Sequence, residues 1–326
     1  MKFSSMTLLR IVFMGTAPLA CASLEALTRQ PDFEVVAVVT QPDRPKGRDL
    51  KLQPAAVKEL ASRKNLPVLQ PEQARSETFL RDLRALRPDL IAVAAYGQLL
   101  PVSLLELPPF GCVNVHTSLL PKYRGAAPIQ WAILNGEAET GVTIMKMDAG
   151  LDTGPILSQT ATPILVEDNA QSLHDRLAAL GAELLVRTIP EFVAGRTTPH
   201  PQPAEGACSA RKITKEDGLI DWSLPARSVW NRVRGLTPWP GTFSFLPADP
   251  QPMLLKIWAA MPVENSGGLP GEILRADKSG LVVACGTGAL EIHTVQREGG
   301  RRLSAREFLA GHALRAGQRF VTRPGS

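Results

Sequence analysis

An amide and an imidazole stand two residues apart in Asn114-Val115-His116, at the end of the apolar run Cys112 to His116 and just ahead of Thr117-Ser118-Leu119-Leu120-Pro121. On a strand, residues two apart face the same side of the sheet. A carboxylate, Asp152, follows in Leu151-Asp152-Thr153-Gly154, just past the next strand-like run, and the three groups are expected to converge at one sheet end. An amide, an imidazole and a carboxylate suit acyl transfer to an amine.

If the acyl group is a formyl passed between nitrogens, a neutral amine attacks a carbonyl carbon and the carbonyl oxygen gathers negative charge. A protonated His116 and the Asn114 amide are suitable donors to that oxygen, and donors of this type are worth about 3 to 4 kcal/mol each. Asp152 beside the imidazole favours its charged form and can pass protons through a bound water. The amine is itself the nucleophile, so neither a covalent intermediate nor a metal is required. Ser118 is the one candidate nucleophile nearby and lacks the Gly-x-Ser-x-Gly context of a nucleophile elbow. By residue type alone, an Asn-x-His at a strand end is more often an ordinary capping or satisfied polar pair, and Asp152 before Thr-Gly also fits an Asx-turn.

The elements that must carry these groups are legible as alternating runs. Strands are expected at Arg10 to Gly15, Val35 to Thr40, Pro67 to Leu69, Leu90 to Tyr96, Cys112 to His116 and Val142 to Met147. Helical spacing of apolar residues marks Leu19 to Arg29, Pro54 to Lys64, Glu77 to Leu86, Pro128 to Asn135 and Ala170 to Arg187. This is the pattern of an α/β domain with a doubly wound, mostly parallel sheet, which binds ligands outside the carboxyl ends of its strands. The proline-rich Thr197 to Ala207 reads as a linker, giving a catalytic domain over 1–196, a linker over 197–208 and a second domain over 209–326. In that second domain short runs broken by Gly and Pro (Gly241 to Leu246, Met253 to Ala259, Glu272 to Leu274, Gly280 to Ala284, Ala289 to Val295) suggest a small β-barrel of OB type.

Two domains also fit the length of 326 residues, and 44% hydrophobic with 21% charged residues is a globular composition. The net charge of +5 is not spread evenly: residues 205–326 hold 16 Lys and Arg against 11 Asp and Glu, and the rest is balanced at 20 against 20. A basic domain joined to a neutral one is a plausible footprint for nucleic acid, although a charge run also fits a solvated face. Four widely spaced cysteines with no metal-ligand spacing point to a reducing compartment. Arg10 splits the apolar stretch near the start, so it reads as a first buried strand rather than a leader peptide. No apolar run reaches the roughly 18 residues that cross a membrane, and a cytoplasmic, monomeric protein is expected.

From Asn114 to Gln130 the chain reads Asn-Val-His-Thr-Ser-Leu-Leu-Pro-Lys-Tyr-Arg-Gly-Ala-Ala-Pro-Ile-Gln, which resembles the signature of the methionyl-tRNA formyltransferase family. Met147 to Gly154 resembles the family's second signature and Ile11 to Thr16 its opening strand. The resemblance continues through Lys212 to Gly218, Ile220 to Ser223, Pro238 to Gly241, Val283 to Gly286 and Phe308 to His312. It implies a formyltransferase-type fold, 10-formyltetrahydrofolate as co-substrate without a metal, and initiator methionyl-tRNA as partner, with Asn114, His116 and Asp152 as the catalytic triplet. It also implies a folate pocket from Tyr96, Gly97, Gln98, Leu99 and Leu100, with Ser118, Leu119, Leu120, Pro121 and Asp148.

Gln41 to Leu52 resembles the family's inserted loop at the tRNA acceptor end, and its basic residues Arg44, Lys46, Arg48 and Lys51 are candidate RNA contacts. Arg211, Lys212, Lys215, Arg232, Arg234, Arg301 and Arg302 are the candidates in the second domain. Thr117, Asp49-Leu50 and Ala17-Pro18-Leu19 depart from the family pattern, and the second departure removes positive charge from the loop. The alternatives are a folate-dependent formyltransferase of a small amine such as an amino-sugar nucleotide, which would have no need of residues 209–326, and a non-catalytic RNA-binding homologue.

Overall fold

A computed structural model of the chain describes residues 8–46, 51–248, 251–264 and 267–321, with the main chain alone at 45, 46, 51 and 52. The chain forms two compact units. Unit one comprises residues 1–128, 139–163 and 174–210, and unit two comprises 129–138, 164–173 and 211–326. The division falls at Ala210, so the expected linker 197–208 belongs to unit one, and two short segments from the first 196 residues belong to unit two.

In chain order the elements up to Ala210 are β1 (Leu9–Gly15), α1 (Leu19–Thr28), β2 (Phe33–Val39), β3 (Arg44–Lys46), β4 (Lys51–Gln53), α2 (Ala56–Arg63), β5 (Val68–Leu69), α3 (Glu77–Ala85), β6 (Leu90–Ala94), α4 (Val102–Leu105), β7 (Cys112–His116), β8 (Arg124–Gly125), α5 (Pro128–Leu134), β9 (Glu139–Lys146), β10 (Ile156–Pro163), α6 (Ala170–Val193) and β11 (Ser209–Ala210). Seven strands make the main sheet, in the order β10-β9-β7-β6-β1-β2-β5. β5, β2, β1, β6 and β7 run parallel, and β9 and β10 are antiparallel to their neighbours. The central strands are continuous apolar runs because helices cover both faces: all five residues of β6 are buried, as are Ile11 to Gly15 of β1. Gly15 ends β1 where a Cβ would lie 2.7 Å from that of Ala20, so a side chain there would push α1 off the sheet.

The antiparallel direction of β9 changes how the site is assembled. Val113 faces Lys146 and His116 faces Thr143, so the loop after β9 leaves beside the start of β7 rather than beside His116. The three groups do converge at one sheet end, as expected from the sequence, but not because Asp152 follows directly on a neighbouring strand end. Asp152 reaches the imidazole because the loop bends back, with Asp152 itself in the left-handed region at φ +52°.

Beyond Ala210 the elements are a 3-10 turn (Glu216–Gly218), α7 (Ala226–Gly235), β12 (Thr242–Leu246), β13 (Met253–Val263), β14 (Ile273–Asp277), β15 (Gly280–Ala284), β16 (Ala289–Arg297), β17 (Arg302–Ser304) and α8 (Ala305–Gly311). The strands form one antiparallel sheet in the order β12-β13-β16-β15-β14, with β17 on β16. The tail closes it. Val321 exchanges both backbone hydrogen bonds with Phe245 of β12 (2.8 and 3.1 Å), while Phe320 N–H donates to Gly271 O at 2.8 Å and Ile273 N–H of β14 donates to Gln318 O at 2.7 Å. Inside lie Trp222, Val229 and Trp230, with Leu255, Ile257, Ile292, Phe308 and Phe320. A closed sheet has no exposed edge at which other strands can add.

Phe320 sits on both the closing tail and the core, 2% exposed and 5.4 Å from the Trp222 ring centroid. Phe320→Ala is expected to destabilise unit two by about 3 to 5 kcal/mol, seen as an earlier thermal transition in Trp fluorescence, with little change in the transition of unit one.

Candidate active site

His116 is 5% exposed at the end of β7, and its Nε2 lies 2.9 Å from the main-chain carbonyl of Tyr123. A carbonyl only accepts, so Nε2 carries a hydrogen and donates it. The other nitrogen, Nδ1, faces Asp152 Oδ2 at 3.6 Å, too long for a hydrogen bond. Burial pushes the imidazole pKa below its ordinary 6.5, against the opposing pull of the Asp152 carboxylate and the Tyr123 carbonyl. Burial prevails because Asp152 is partly exposed and its Oδ2 already accepts the Gly125 N–H at 2.8 Å.

The resting His116 is therefore a neutral imidazole with its single hydrogen committed to Tyr123 and a bare lone pair at Nδ1. The sequence left the protonation state of His116 open, and burial together with the Tyr123 hydrogen bond favours the neutral ring. A neutral ring in this tautomer accepts a proton at Nδ1, and once protonated it gains the neighbouring carboxylate as counter-charge. Asn114 is half-buried, and its side-chain amide makes no hydrogen bond among the described residues, so it is free to donate.

Asp152 is held from several sides. The Gly125 N–H binds its carboxylate, and Gly125 lies at φ +119°, where a Cβ would sit 2.8 Å from the Ala210 carbonyl oxygen. Gln202 donates to the main-chain carbonyls of Asp152 and Gly154, both at 2.8 Å, and accepts from Arg124 Nε and Nη2 at 3.0 and 2.7 Å. Asp148, expected in the folate pocket, is exposed and organises the same loop by accepting from Gly150 N and Thr153 Oγ1. Neither Gly125 nor Gln202 was expected from the sequence. Gly125 lay within a recognised motif without a role, and Gln202 between two prolines gave no signal at all.

The Tyr96 to Leu100 segment follows β6 at the carboxyl end of the parallel strands. The Tyr96 carbonyl accepts from Thr16 Oγ1 (2.9 Å) and Gln41 Nε2 (2.8 Å), and Gly97 packs so closely on Gln41 that a Cβ would meet Nε2 at 2.7 Å. The Tyr96 phenol turns inward: it is buried without a partner, and burial pushes its pKa up to about 12. Gln98 is tied to Ala74 N and Glu72 O. Leu99 is 79% exposed, an apolar side chain presented to whatever binds there, with Leu100 half-buried behind it.

Among the other folate candidates, Ser118 is fully buried and donates to Lys122 O, and Leu120 is 3% exposed. Both side chains pack into the interior of unit one, which leaves their main chain as the part that could line a pocket. Leu119 packs where a Cβ on Gly141 would lie, and Pro121 is half-buried.

The basic candidates divide in the same way. Arg44 is exposed at the start of a two-stranded hairpin in which Lys46 faces Lys51; Arg48 lies outside the described residues. Lys212, Lys215 and Arg301 are exposed, and Arg302 is exposed with its guanidinium 3.6 Å from the Trp258 ring centroid. Arg211 is engaged by Asp217 at 2.6 and 2.9 Å, a pairing that holds the Asp217 pKa at about 2. Arg232 is half-buried and donates to the Asp217 carbonyl. Arg234 is 9% exposed, donates to Leu165 O, Asp168 O and Asn231 Oδ1, and stacks on Trp230 at 4.2 Å. Four of its five donors are engaged inside unit two and the side chain is 9% exposed, which disfavours contact with a phosphate. No cluster of metal-ligating side chains and no helix long and apolar enough to cross a membrane occurs among the described residues.

Residues 9–189 match the formyl transferase family and residues 212–313 match the formyl transferase C-terminal domain. Fold and site thus define a formyltransferase with its dedicated second domain. The methionyl-tRNA formyltransferase of Citrifermentans bemidjiense is 51% identical over 312 residues, covering 96% of each chain, and that of Trichlorobacter lovleyi is 51% identical over 96% of this chain and 97% of its own. The chain belongs to the methionyl-tRNA formyltransferase family. Among solved structures, WlaRD, a sugar 3N-formyl transferase in the presence of dTDP and 5-N-formyl-THF, shares the fold at a TM-score of 0.64 and 20% identity, over 89% of this chain and 98% of that one.

The His116 imidazole is expected to titrate below pH 6.5, as read from its ring resonances by NMR. Asp152→Asn removes the charge that raises this pKa, so it should move that titration lower still.

Proposed function

We infer that this chain transfers the formyl group of 10-formyltetrahydrofolate to the α-amino group of methionine on initiator methionyl-tRNA. The observation that carries the chemistry is the pairing of a lone pair at His116 Nδ1 with an unengaged Asn114 amide on the same face of β7. The substrate rests on the family, shown by methionyl-tRNA formyltransferases 51% identical over 96% of this chain.

The residues after β6 suit a folate. Exposed Leu99 and half-buried Leu100 offer an apolar surface, and the twice hydrogen-bonded Tyr96 carbonyl and the Gly97 turn fix the path of the chain. When bound, the folate supplies the formyl carbon. Asn114 donates to the formyl oxygen as charge gathers there. His116 Nδ1 takes the proton that the attacking amine must shed, and the resulting imidazolium sits beside Asp152. The same proton then returns to the departing nitrogen as the old carbon–nitrogen bond breaks. Each proton has a stated place, and the amide formed and the amine released balance.

The RNA is held by phosphate contacts from Arg44, Lys46, Arg48 and Lys51 and from Lys212, Lys215, Arg301 and Arg302, in a cytoplasmic enzyme of translation initiation. Replacing Lys212 and Lys215 with Ala should weaken tRNA binding about equally for all tRNAs and reduce the salt slope by about two. Titrating binding against salt concentration checks this.

The direct test of the activity is formyl transfer to methionyl initiator tRNA, with free methionine and an amino-sugar nucleotide as competing acceptors. Transfer to the charged tRNA alone is expected, and transfer only to a small amine would overturn the substrate. His116→Ala is expected to slow the chemical step by about 100-fold or more. A single-turnover rate within a few-fold of the parent would remove His116 from the proton path.

A further inference from the structure

The proline-rich stretch 197–208 carries one side chain that turns inward. From Pro201 to Ser209 every residue is exposed except Gln202. Its amide is fully used: Nε2 donates to the carbonyls of Asp152 and Gly154, and Oε1 accepts both Nε and Nη2 of Arg124. The chain on either side is also paired, with His200 exchanging both backbone bonds with Ile156 (2.8 and 2.9 Å). Further along, Cys208 O accepts Arg124 N at 2.9 Å, Ala210 O accepts Ala126 N at 2.9 Å, and Cys208 Sγ accepts Tyr123 N at 3.2 Å.

These bonds grip the catalytic geometry at its two least secure points. Asp152 holds a positive φ, a conformation that is unfavourable for a non-glycine residue and persists only where its surroundings over-determine it. Gln202 fixes the main chain of that residue directly. The carboxylate end is fixed by Gly125 N–H, and Gly125 is flanked by Arg124 and Ala126, the two residues paired with Cys208 and Ala210. Tyr123, whose carbonyl sets the His116 tautomer, is bound by the same segment through Cys208.

We propose that Gln202 is a positioning residue for formyl transfer, holding the Asp152 loop to the Tyr123–Ala126 segment so that the carboxylate stays opposite His116 Nδ1. This deepens the proposed reaction and rests on it for the kinetic readout. Gln202→Met keeps the side-chain length and loses every hydrogen bond. Gln202→Glu keeps the acceptor for Arg124 but replaces the donor to the two carbonyls with an oxygen that repels them. Both should lower kcat at least tenfold with KM for tRNA and folate within about twofold, since no substrate contact is removed.

A second readout needs no substrate. The Gly125 amide is protected by the Asp152 carboxylate alone, whereas the Ala126 amide is protected by Ala210. In the full-length protein, Gly125 hydrogen exchange should speed at least tenfold in both variants, with Ala126 exchange unchanged. Unchanged Gly125 exchange in both variants would overturn the proposal whether or not the parent formylates tRNA. Parallel acceleration at Gly125 and Ala126 would also overturn it, since that marks general loosening of unit one. An inactive parent with selective acceleration at Gly125 would instead support the positioning role and count against the formyl-transfer reading.

Discussion

The hydrogen bond from His116 Nε2 to the Tyr123 carbonyl is the constraint on which the site depends. It decides which nitrogen carries the proton, and so whether the other can accept one. Tyr123 sits at φ +62°, in the turn between β7 and β8, and its own N–H is bound by Cys208 Sγ. The turn is thus tied to the Cys208–Ala210 stretch on one side and to the imidazole on the other. A buried imidazole held in this way costs little to keep neutral and gains a counter-charge only when it takes up a proton. That difference between resting and protonated forms is what a general base requires.

The sheet provides the rest of the arrangement. Its parallel half ends in the Tyr96–Leu100 segment and in β7, while its antiparallel half returns a loop across the face that carries Asn114 and His116. Glycine is required where this loop and its neighbours pass close to main chain: a Cβ on Gly154 would come within 1.9 Å of Lys146 O. The polar links among Thr16, Gln41 and Tyr96 join three strand ends, and Gln70 joins Gln41 to Asp43 and so to the root of the basic hairpin. One connected polar layer at the strand ends therefore supports both the proposed folate segment and the hairpin.

Much of this was legible in the sequence, for physical reasons. Central strands such as Leu90–Ala94 are buried on both faces and read as unbroken apolar runs, and Cys112–His116 has the bounds the sequence suggested. β10 was missed because it is an edge strand with exposed polar positions, Ile-Leu-Ser-Gln-Thr-Ala-Thr-Pro, which lacks such a run. α7 was missed because its few apolar residues, Val229, Trp230 and Val233, stand among arginines that read as solvent or RNA contacts. Arg234 shows why charge is a poor guide: its guanidinium is satisfied by carbonyls and an aromatic face, which no spacing rule reveals. The protonation state of His116 was not legible in the sequence, because a carboxylate nearby in sequence pattern says nothing of the 3.6 Å gap or of burial. Gln202 was invisible because its partners are main-chain carbonyls far along the chain.

The central claim is that His116 rests as the neutral Nε2–H tautomer with a lone pair at Nδ1. Nitrogen-15 NMR of the imidazole at pH 7 in the ligand-free protein reads this directly, because protonated and bare ring nitrogens resonate far apart. A proton on Nε2 and none on Nδ1 is the result predicted here. Protonation of both nitrogens would contradict it, and would return His116 to the role of a charged donor to the oxyanion.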